Sequence, residues 1–392
     1  MIYRGKYTNE ISFPLGGMGS GSIGLSGNGV LRSFEIYNQP SKNSYNGYTH
    51  FAVKAKTKNG VITKILNGDK TTGLSPLRGC GVEEEAMAGF PHFKNHTFKG
   101  EFPLAQIDFS DDNFPANVTL TAFNPFIPLD EDNSSIPGAF FEISIENTSD
   151  EEIEFQTAFT CQNPYEDAIN EAKTVGCYRA LTLRSKNEPE PDANRGDITI
   201  ITDEKDSLVQ TYWYRGGWKD SVVTYWNNFN NEKDVEDRIY DDLYVNNEGR
   251  HDHGSLYAKR TISAGETKTV RYILTWNNPI NRGFTHYGRV NEDGSKISWK
   301  NYYAVLWKDS TDSAVYSMNN WDMLKEKTLV FKNALHSQSL DPTVIEAISS
   351  TLSVLKTPTV VRFEDGSFHG WEGCFANRGS CEGTCQHVYN YA

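Results

Sequence analysis

The sequence predicts a mainly β protein, in which a large N-terminal antiparallel β-sandwich precedes a helical C-terminal part. Short β-type runs separated by Asn, Asp, Gly and Pro fill residues 50–280, at intervals typical of a sandwich. Residues 139–146 alternate with period two, which predicts a strand with one buried and one solvent-facing side. After residue 296, apolar side chains recur every three to four positions, and this is the helical period.

Each strand is predicted from one such run and the turn residues that bound it. In the run 139–146, we expect the side chains of Phe141, Ile143 and Ile145 in the core, and those of Phe140, Glu142, Ser144 and Glu146 in solvent. Two acidic, Asn-rich stretches, 186–197 and 227–253, are predicted to be loops. The predicted strands are 50–56, 102–109, 117–123, 139–146, 153–160, 180–184, 197–202, 209–214, 257–262 and 268–276.

A glycine-rich run at residues 14–24 resembles a phosphate-binding loop. It lacks the Lys-Ser/Thr ending of a P-loop, and the residues after it alternate like a strand rather than a helix. The run therefore predicts a tight loop in which two backbone segments pass closely, because glycine tolerates positive φ.

The C-terminal part is predicted to contain helices at 297–338 and 342–355. Asp341 followed by Pro342 is typical of a helix cap with proline at the first helical position. Residues 357–370 are predicted to form two short strands around the turn at Asp365 and Gly366. We therefore divide the chain into a β-sandwich domain at 1–296, a helical linker at 297–340 and a third segment at 341–392.

Composition and charge exclude several classes of function. The net charge of −13, without a basic stripe, argues against nucleic acid and against electrostatic docking to anionic lipid. The 20 Tyr, 21 Phe and 8 Trp residues suit β-sheets and also sugar stacking. No signal peptide, transmembrane stretch or disulfide framework is expected from the 392 residues with their six cysteines. A cytoplasmic location is therefore predicted.

Three groups of motifs together resemble glycoside hydrolase family 116, the family of non-lysosomal glucosylceramidases and bacterial β-glucosidases. They are the opening FPLGGMGSGSIG at 13–24; FNPFIPLD at 123–130 with SSIP at 134–137 and ENT at 146–148; and WEG at 371–373 with GTCQHVYNYA at 383–392. The resemblance implies an N-terminal β-sandwich, a linker helix and an (α/α)6 barrel that carries a retaining carboxylate pair. Segment 341–392 would then be the truncated beginning of the barrel, and the acid/base aspartate would lie beyond Ala392.

The resemblance also selects candidate site residues. Retaining glycosidases use two carboxyl groups about 5–5.5 Å apart, and residues 368–373 resemble the family's nucleophile segment. Glu372 is the candidate nucleophile and Glu382 the second candidate; alternatively, Glu372 only hydrogen-bonds sugar hydroxyls or backbone. Trp371 is predicted to stack on a pyranose ring or to be a core residue. His387 is predicted to bind a sugar hydroxyl or to have a structural role.

Two groups of residues contain side chains that can bind a metal ion. Cys374, Cys381, Cys385 and His387 lie close in sequence, but their spacing is not that of a standard zinc finger, which favours buried or weakly coupled thiols. Residues 251–253 read His-Asp-His and are predicted to be a solvated loop. We expect neither a metal nor a cofactor.

The predicted function is that of a retaining exo-acting β-glycosidase that hydrolyses β-linked sugars and is present as an N-terminal fragment, inactive alone. One alternative is a non-catalytic carbohydrate-binding or assembly module, and another is a phosphorylase or glucoamylase with the same layout. The helix and barrel start in 341–392 argue against the stand-alone module. Residues 1 to about 300 are expected to fold alone, whereas 341–392 would be poorly protected with Trp371 exposed.

Overall fold

The computed structural model describes residues 1–37, 39–69, 86–189, 195–240, 251–281, 290–295, 297–371, 375–377, 379 and 384. Strands dominate these residues. They are β1 (Ile2–Arg4), β2 (Ser12–Leu15), β3 (Ile23–Ser26), β4 (Leu31–Arg32), β5 (His50–Thr57), β6 (Gly60–Gly68), β7 (His92–Phe93), β8 (Asn95–Glu101), β9 (Leu104–Ser110), β10 (Ala116–Phe123), β11 (Gly138–Asn147), β12 (Ile153–Gln162), β13 (Ala168–Val175), β14 (Tyr178–Ser185), β15 (Asp197–Thr202), β16 (Ser207–Gln210), β17 (His253–Ile262), β18 (Thr267–Asn277), β19 (Ile280–Asn281), β20 (Trp299–Lys300), β21 (Val360–Arg362) and β22 (Phe368–Gly370).

Helices lie mainly in the C-terminal part of the described chain. They are α1 (Glu131–Ser134), α2 (Asp220–Phe229), α3 (Tyr303–Leu306), α4 (Ser310–Asn319), α5 (Trp321–His336) and α6 (Pro342–Leu352), with 3-10 turns at Gly5–Thr8 and Ser353–Lys356. Within the described ranges, no helix is both long enough and apolar enough to cross a membrane.

Two large sheets pack face to face. In the described residues the first has nine strands in the order β1-β8-β9-β10-β11-β18-β15-β14-β13, and the second has six in the order β16-β17-β12-β5-β6-β7. Phe51 of the second sheet meets Phe141 of the first with ring centroids 4.9 Å apart. Both rings belong to one buried apolar cluster with contributions from both sheets. The expected sandwich is therefore confirmed.

Most predicted strands coincide with observed ones, and the strand predicted at 209–214 is the clearest exception. The observed strand β16 ends at Gln210. Beyond it the chain leaves the ladder because Thr211 donates its N–H to the carboxylate of Asp237, 2.6 Å away. The Asp237 carboxylate thus takes the place of a backbone acceptor on a neighbouring strand. The sequence pattern of residues 209–214 does not reveal this distant acceptor.

The solvent-facing side predicted for residues 139–146 is wrong near the start of the strand. Phe140 is fully buried and Glu142 is nearly so. Helix α5 covers this face, because Trp321 packs on Phe140 with ring centroids 5.3 Å apart. Lys325 of the same helix forms an ion pair with Glu142. The nearly buried acidic side chain is thus paired with a partly exposed counter-ion, as buried charges require a partner.

The loop predicted at 227–253 begins in a helix that the sequence analysis missed. Helix α2 ends at Phe229, and it buries Val222, Tyr225 and Trp226 as well as Phe229. These side chains pack with residues of β5, β12 and β17 in a second apolar cluster. The helix therefore covers the outer side of the six-stranded sheet.

The helix predicted at 297–338 is divided into three. Trp307 takes an extended conformation after α3, and Asp309 caps α4 by accepting from the N–H of Asp312. The next helix, α5, starts directly after Asn320. Helix α6 begins at Pro342, as predicted, and the Asp341 carboxylate accepts the N–H of Thr343 at 2.8 Å.

Candidate functional site

The candidate carboxylates Glu372 and Glu382 lie outside the described residues, as do His387 and the cysteines Cys374, Cys381 and Cys385. The described chain reaches Trp371 on one side of Glu372 and resumes at Phe375. The described part of the candidate site therefore consists of the residues that support this segment. Among the residues that the structure describes, no group of three or more His, Cys, Asp or Glu is placed to hold a metal ion.

Trp371 follows a short hairpin that was predicted from the sequence. Strands β21 and β22 pair antiparallel, with Val361 opposite His369, and the N–H of Trp371 donates to Thr359 O at 2.7 Å. The indole is 1% exposed and belongs to a small cluster with Val361 and Phe363. The expected exposure of Trp371 is therefore wrong, and its burial favours the core role; sugar stacking stays a prediction.

A loop of the β domain contacts the chain just after Glu372. The N–H of Lys42 donates to Ala376 O at 2.8 Å, and the Lys42 ammonium lies 2.9 Å from the carboxylate of Glu35. Glu35 is buried and also accepts the N–H of Ser41 at 3.0 Å. The β domain thus holds a backbone position four residues beyond the candidate nucleophile.

The glycine-rich run lies directly beneath the hairpin. Gly19 has φ +70°, and a Cβ at this position would lie 2.5 Å from the Cβ of Arg362. A Cβ on Gly17 would lie 2.4 Å from the carbonyl carbon of Ser135. The prediction of two closely passing backbone segments is confirmed, and the run packs the hairpin against the 124–135 segment.

Arg362 fixes the hairpin to the same surface. Its guanidinium carbon lies 3.6 Å from the ring centroid of Tyr302. One nitrogen donates to the hydroxyl of Ser135 at 3.2 Å and lies 3.6 Å from the Asp132 carboxylate. Stacking and hydrogen bonding together suit an arginine rather than a lysine here.

Lys356 is the second anchor of the hairpin. Its side chain is fully buried, and Nζ donates to Asn124 Oδ1 at 2.6 Å, Pro125 O at 2.7 Å and Ser134 O at 2.9 Å. Burial lowers the pKa of Lys356 well below its usual range. Three acceptors use all three donors of the ammonium group, which compensates the desolvation of the charge.

His369 links the hairpin to the second candidate segment, and the sequence analysis did not select it. Its Nδ1 lies 2.8 Å from the hydroxyl of Thr384, and its Nε2 lies 3.0 Å from the hydroxyl of Ser367. Thr384 is two residues beyond Glu382 in the sequence. His369 could have been selected because it lies three residues before Glu372 in the sequence. Its imidazole can hydrogen-bond to the segment of Glu372 or to that of Glu382.

The His-Asp-His sequence at 251–253 is not a solvated loop, so that prediction is wrong. Asp252 is 4% exposed and forms two hydrogen bonds of 2.8 and 2.9 Å with the guanidinium of Arg215. The Nε2 of buried His253 accepts the N–H of Tyr48 at 3.1 Å. Burial lowers the pKa of His253 to about 3, so this imidazole is neutral. The polar residues are buried because each one has a partner.

Together these contacts form a platform, which we define as the glycine-rich run 16–21, the segment 124–135 and the hairpin 357–371. The platform is made of fixed backbone and two anchored cations. In the described residues it positions the hairpin. The platform orients the segment that follows Trp371, as supporting residues do in preorganised sites.

Comparisons with known proteins identify a family for this chain. The profile described as beta-glucosidase 2, glycosyl-hydrolase family 116 N-terminal region, matches residues 12–324. Comparison with curated proteins finds no match. Among solved structures, a putative kojibiose phosphorylase from human microbiome is 11% identical with a TM-score of 0.42, covering 90% of this chain and 40% of that chain.

A family GH92 α-mannosidase from Bacteroides thetaiotaomicron is 10% identical with a TM-score of 0.35, covering 93% of this chain and 42% of that chain. TM-scores of this size do not establish a shared fold. The chain spans less than half the length of these two proteins. The family match covers the β domain from residue 12, including the glycine-rich run, and helices α3 and α4, and the chain belongs to glycosyl-hydrolase family 116.

Proposed function

We propose that this chain is the N-terminal part of a retaining β-glycosidase and that Glu372 is its nucleophile. The observation that carries the proposal is the family match over residues 12–324. The platform supports it, because the N–H of Trp371 is bonded to Thr359 O within the hairpin, and the chain is bonded to Lys42 of the β domain at Ala376, so that both sides of Glu372 are held. A nucleophile must be held to within about 0.5 Å of its productive position.

In the proposed reaction, the carboxylate of Glu372 attacks the anomeric carbon of a β-linked sugar and displaces the aglycone oxygen. A carboxylic acid protonates that oxygen as the bond breaks, and the same group then removes a proton from the water that hydrolyses the glycosyl ester. We place this acid/base group in an (α/α)6 barrel contributed by chain outside residues 1–392. Residues 1–392 alone would then show no turnover of an aryl β-glucoside.

The described residues have a defined role in this proposal. Lys356 and Arg362 anchor the hairpin before Glu372, and the Glu35–Lys42 pair anchors the chain after it. Because Lys356 and Arg362 bind acceptors in the β domain, and Glu35 and Lys42 belong to it, the domain would support the catalytic residues directly.

The test is covalent labelling of the complete enzyme that contains this chain. A 2-deoxy-2-fluoro-β-glucoside with a dinitrophenyl leaving group should inactivate the enzyme and leave one fluorosugar on Glu372, read by peptide mass spectrometry. A Glu364→Gln variant, altered at an exposed carboxylate of the hairpin, should label normally. Labelling of Glu382, or of a carboxylate outside residues 371–392, would overturn the assignment of Glu372.

A further inference from the structure

The loop that joins β16 to α2 presents a tryptophan to solvent at an energetic cost. Trp218 is 96% exposed and has φ +53°. A bulky side chain in the left-handed region is an uncommon and strained arrangement. Exposing a large indole adds a second unfavourable contribution. Neither cost is repaid by burial within the described chain.

The base of this loop is rigid. The N–H of Trp213 donates to His253 O at 2.9 Å, and its indole stacks on Tyr225 with centroids 4.1 Å apart. Arg215 is held by Asp252 and lies with its guanidinium carbon 4.2 Å from the ring centroid of Tyr240. The tip of the loop therefore projects from a fixed scaffold, so that little order has to be created when a ligand binds.

The neighbours of Trp218 supply polar groups beside aromatic surface. Tyr214 is 43% exposed, and Arg238 lies with its guanidinium carbon 5.6 Å from the Tyr214 ring. Lys219 Nζ lies 3.4 Å from the hydroxyl of Tyr48. Asp220 follows Lys219 in the sequence, so the local charges are of both signs. Aromatic faces interleaved with hydrogen-bonding groups match the apolar faces and hydroxyls of a neutral sugar.

From this arrangement we propose that residues 214–219 form a saccharide-binding surface on which Trp218 stacks against a pyranose ring. The surface would hold a neutral β-linked oligosaccharide and is separate from the platform that supports Glu372. The proposal takes only its ligand class from the proposed function. A protein partner would use the same aromatic and Arg side chains, so a Trp218-dependent dimer is one of the outcomes that overturn the proposal.

The experiment titrates the 392-residue chain with cellotetraose, xylotetraose and methyl β-glucoside and follows the indole N–H signals by NMR. One signal, assigned to Trp218 by its loss in Trp218→Asn, should shift on addition of at least one probe. Calorimetry should show at least a tenfold loss of affinity in Trp218→Asn. Asparagine tolerates the left-handed conformation, so this variant should keep its melting temperature.

Leu129→Asn is the matched control, because Leu129 is also fully exposed and has φ +66°. It should bind the sugars like the unaltered chain. The indole signal of Trp218 reports binding at this surface directly, which separates this proposal from the assignment of the nucleophile. Absence of a shift with all three probes, equal binding by Trp218→Asn, or a Trp218-dependent dimer seen by sedimentation would each overturn the proposal.

Discussion

The ammonium group of Lys356 lies 2.6 Å from the side-chain oxygen of Asn124, although 232 positions separate the two residues in the chain. Asn124 in turn donates to Ile136 O and Gly138 O at 3.0 and 2.7 Å. The contact joins the end of the helical part to a loop of the β domain. The hairpin that leads to Glu372 is therefore positioned by the β domain.

Replacement of Lys356 by methionine should destabilise the protein. The change leaves Asn124 Oδ1 and the carbonyl oxygen of Pro125 without this donor, whereas Ser134 O keeps the N–H of Met18 at 2.8 Å. Unsatisfied buried acceptors cost about 1–3 kcal/mol each before relaxation, so we expect a loss of roughly 2–4 kcal/mol in the free energy of unfolding. Urea denaturation measures it. Lys308→Met, at an exposed lysine, should change stability by less than about 0.5 kcal/mol.

A Cβ at Gly19 should be tolerated much less well than one at Gly265. Both glycines have positive φ, +70° and +73°, but a Cβ at Gly19 would lie 2.5 Å from that of Arg362, whereas nothing lies within 4 Å of one at Gly265. Gly265→Ala should cost about 1 kcal/mol for backbone strain. Gly19→Ala should cost about 1–3 kcal/mol more from overpacking. Equal melting temperatures for the two variants would show that the hairpin does not rest on the glycine-rich run.

Stability should depend on pH through a buried histidine. Burial lowers the pKa of His50 to about 4, against 6.5 for an unfolded histidine. Between these values the unfolded state binds more protons, so the contribution of His50 to stability falls as pH falls from 6.5 toward 4, by about 1.4 kcal/mol per pH unit. His253 should act in the same sense. Asp197, whose pKa burial raises to about 6, should oppose both below pH 6.

The difference in unfolding free energy between the unaltered protein and His50→Gln isolates this effect. It should decrease by roughly 2 kcal/mol between pH 7 and pH 5, and it should be constant between pH 7.5 and 9, where no histidine titrates. A difference that is also constant below pH 6 would mean that His50 titrates normally in the folded state.

The hairpin should be protected from hydrogen exchange. The N–H of Trp371 is bonded to Thr359 O at 2.7 Å, and the indole is buried. We expect the Trp371 amide to exchange as slowly as amides of the central strands, because opening the hairpin would also release Lys356 and Arg362. Arg362→Ala should accelerate exchange at Trp371 and leave exchange in β11 unchanged. Rapid exchange at Trp371 in the unaltered protein would instead support an undocked C-terminal segment.

The parts of the fold predicted from sequence were those with a strong local signal. The alternating run at 139–146 identified β11, and the Asp341-Pro342 pair identified the start of α6. The prediction failed where a distant partner changes the environment. Phe140 and Glu142 look solvent-facing until Trp321 and Lys325 are packed over them. When a distant helix packs over a half-polar strand, the sequence pattern of the strand itself does not show it.

The residues that support the candidate site were harder to predict from the sequence than its carboxylates. Glu372 could be selected from the motif around it, whereas Lys356 resembles any lysine at the end of a helix until its three acceptors are known. The glycine-rich run was predicted correctly because close backbone approach requires glycine. Its partner, Arg362, could not be predicted, since the contact is 343 positions away along the chain.

Removal of the proposed nucleophile in the complete enzyme tests the central claim most directly. Glu372→Gly should abolish hydrolysis of 2,4-dinitrophenyl β-glucoside, because no covalent intermediate can form. Azide should restore turnover by occupying the space of the lost carboxylate and attacking from the opposite face to the leaving group. Chemical rescue that yields an α-glucosyl azide is the predicted result. Failure of Glu372→Gly to give this product, while Glu382→Gly does, would contradict the account and assign the nucleophile to Glu382.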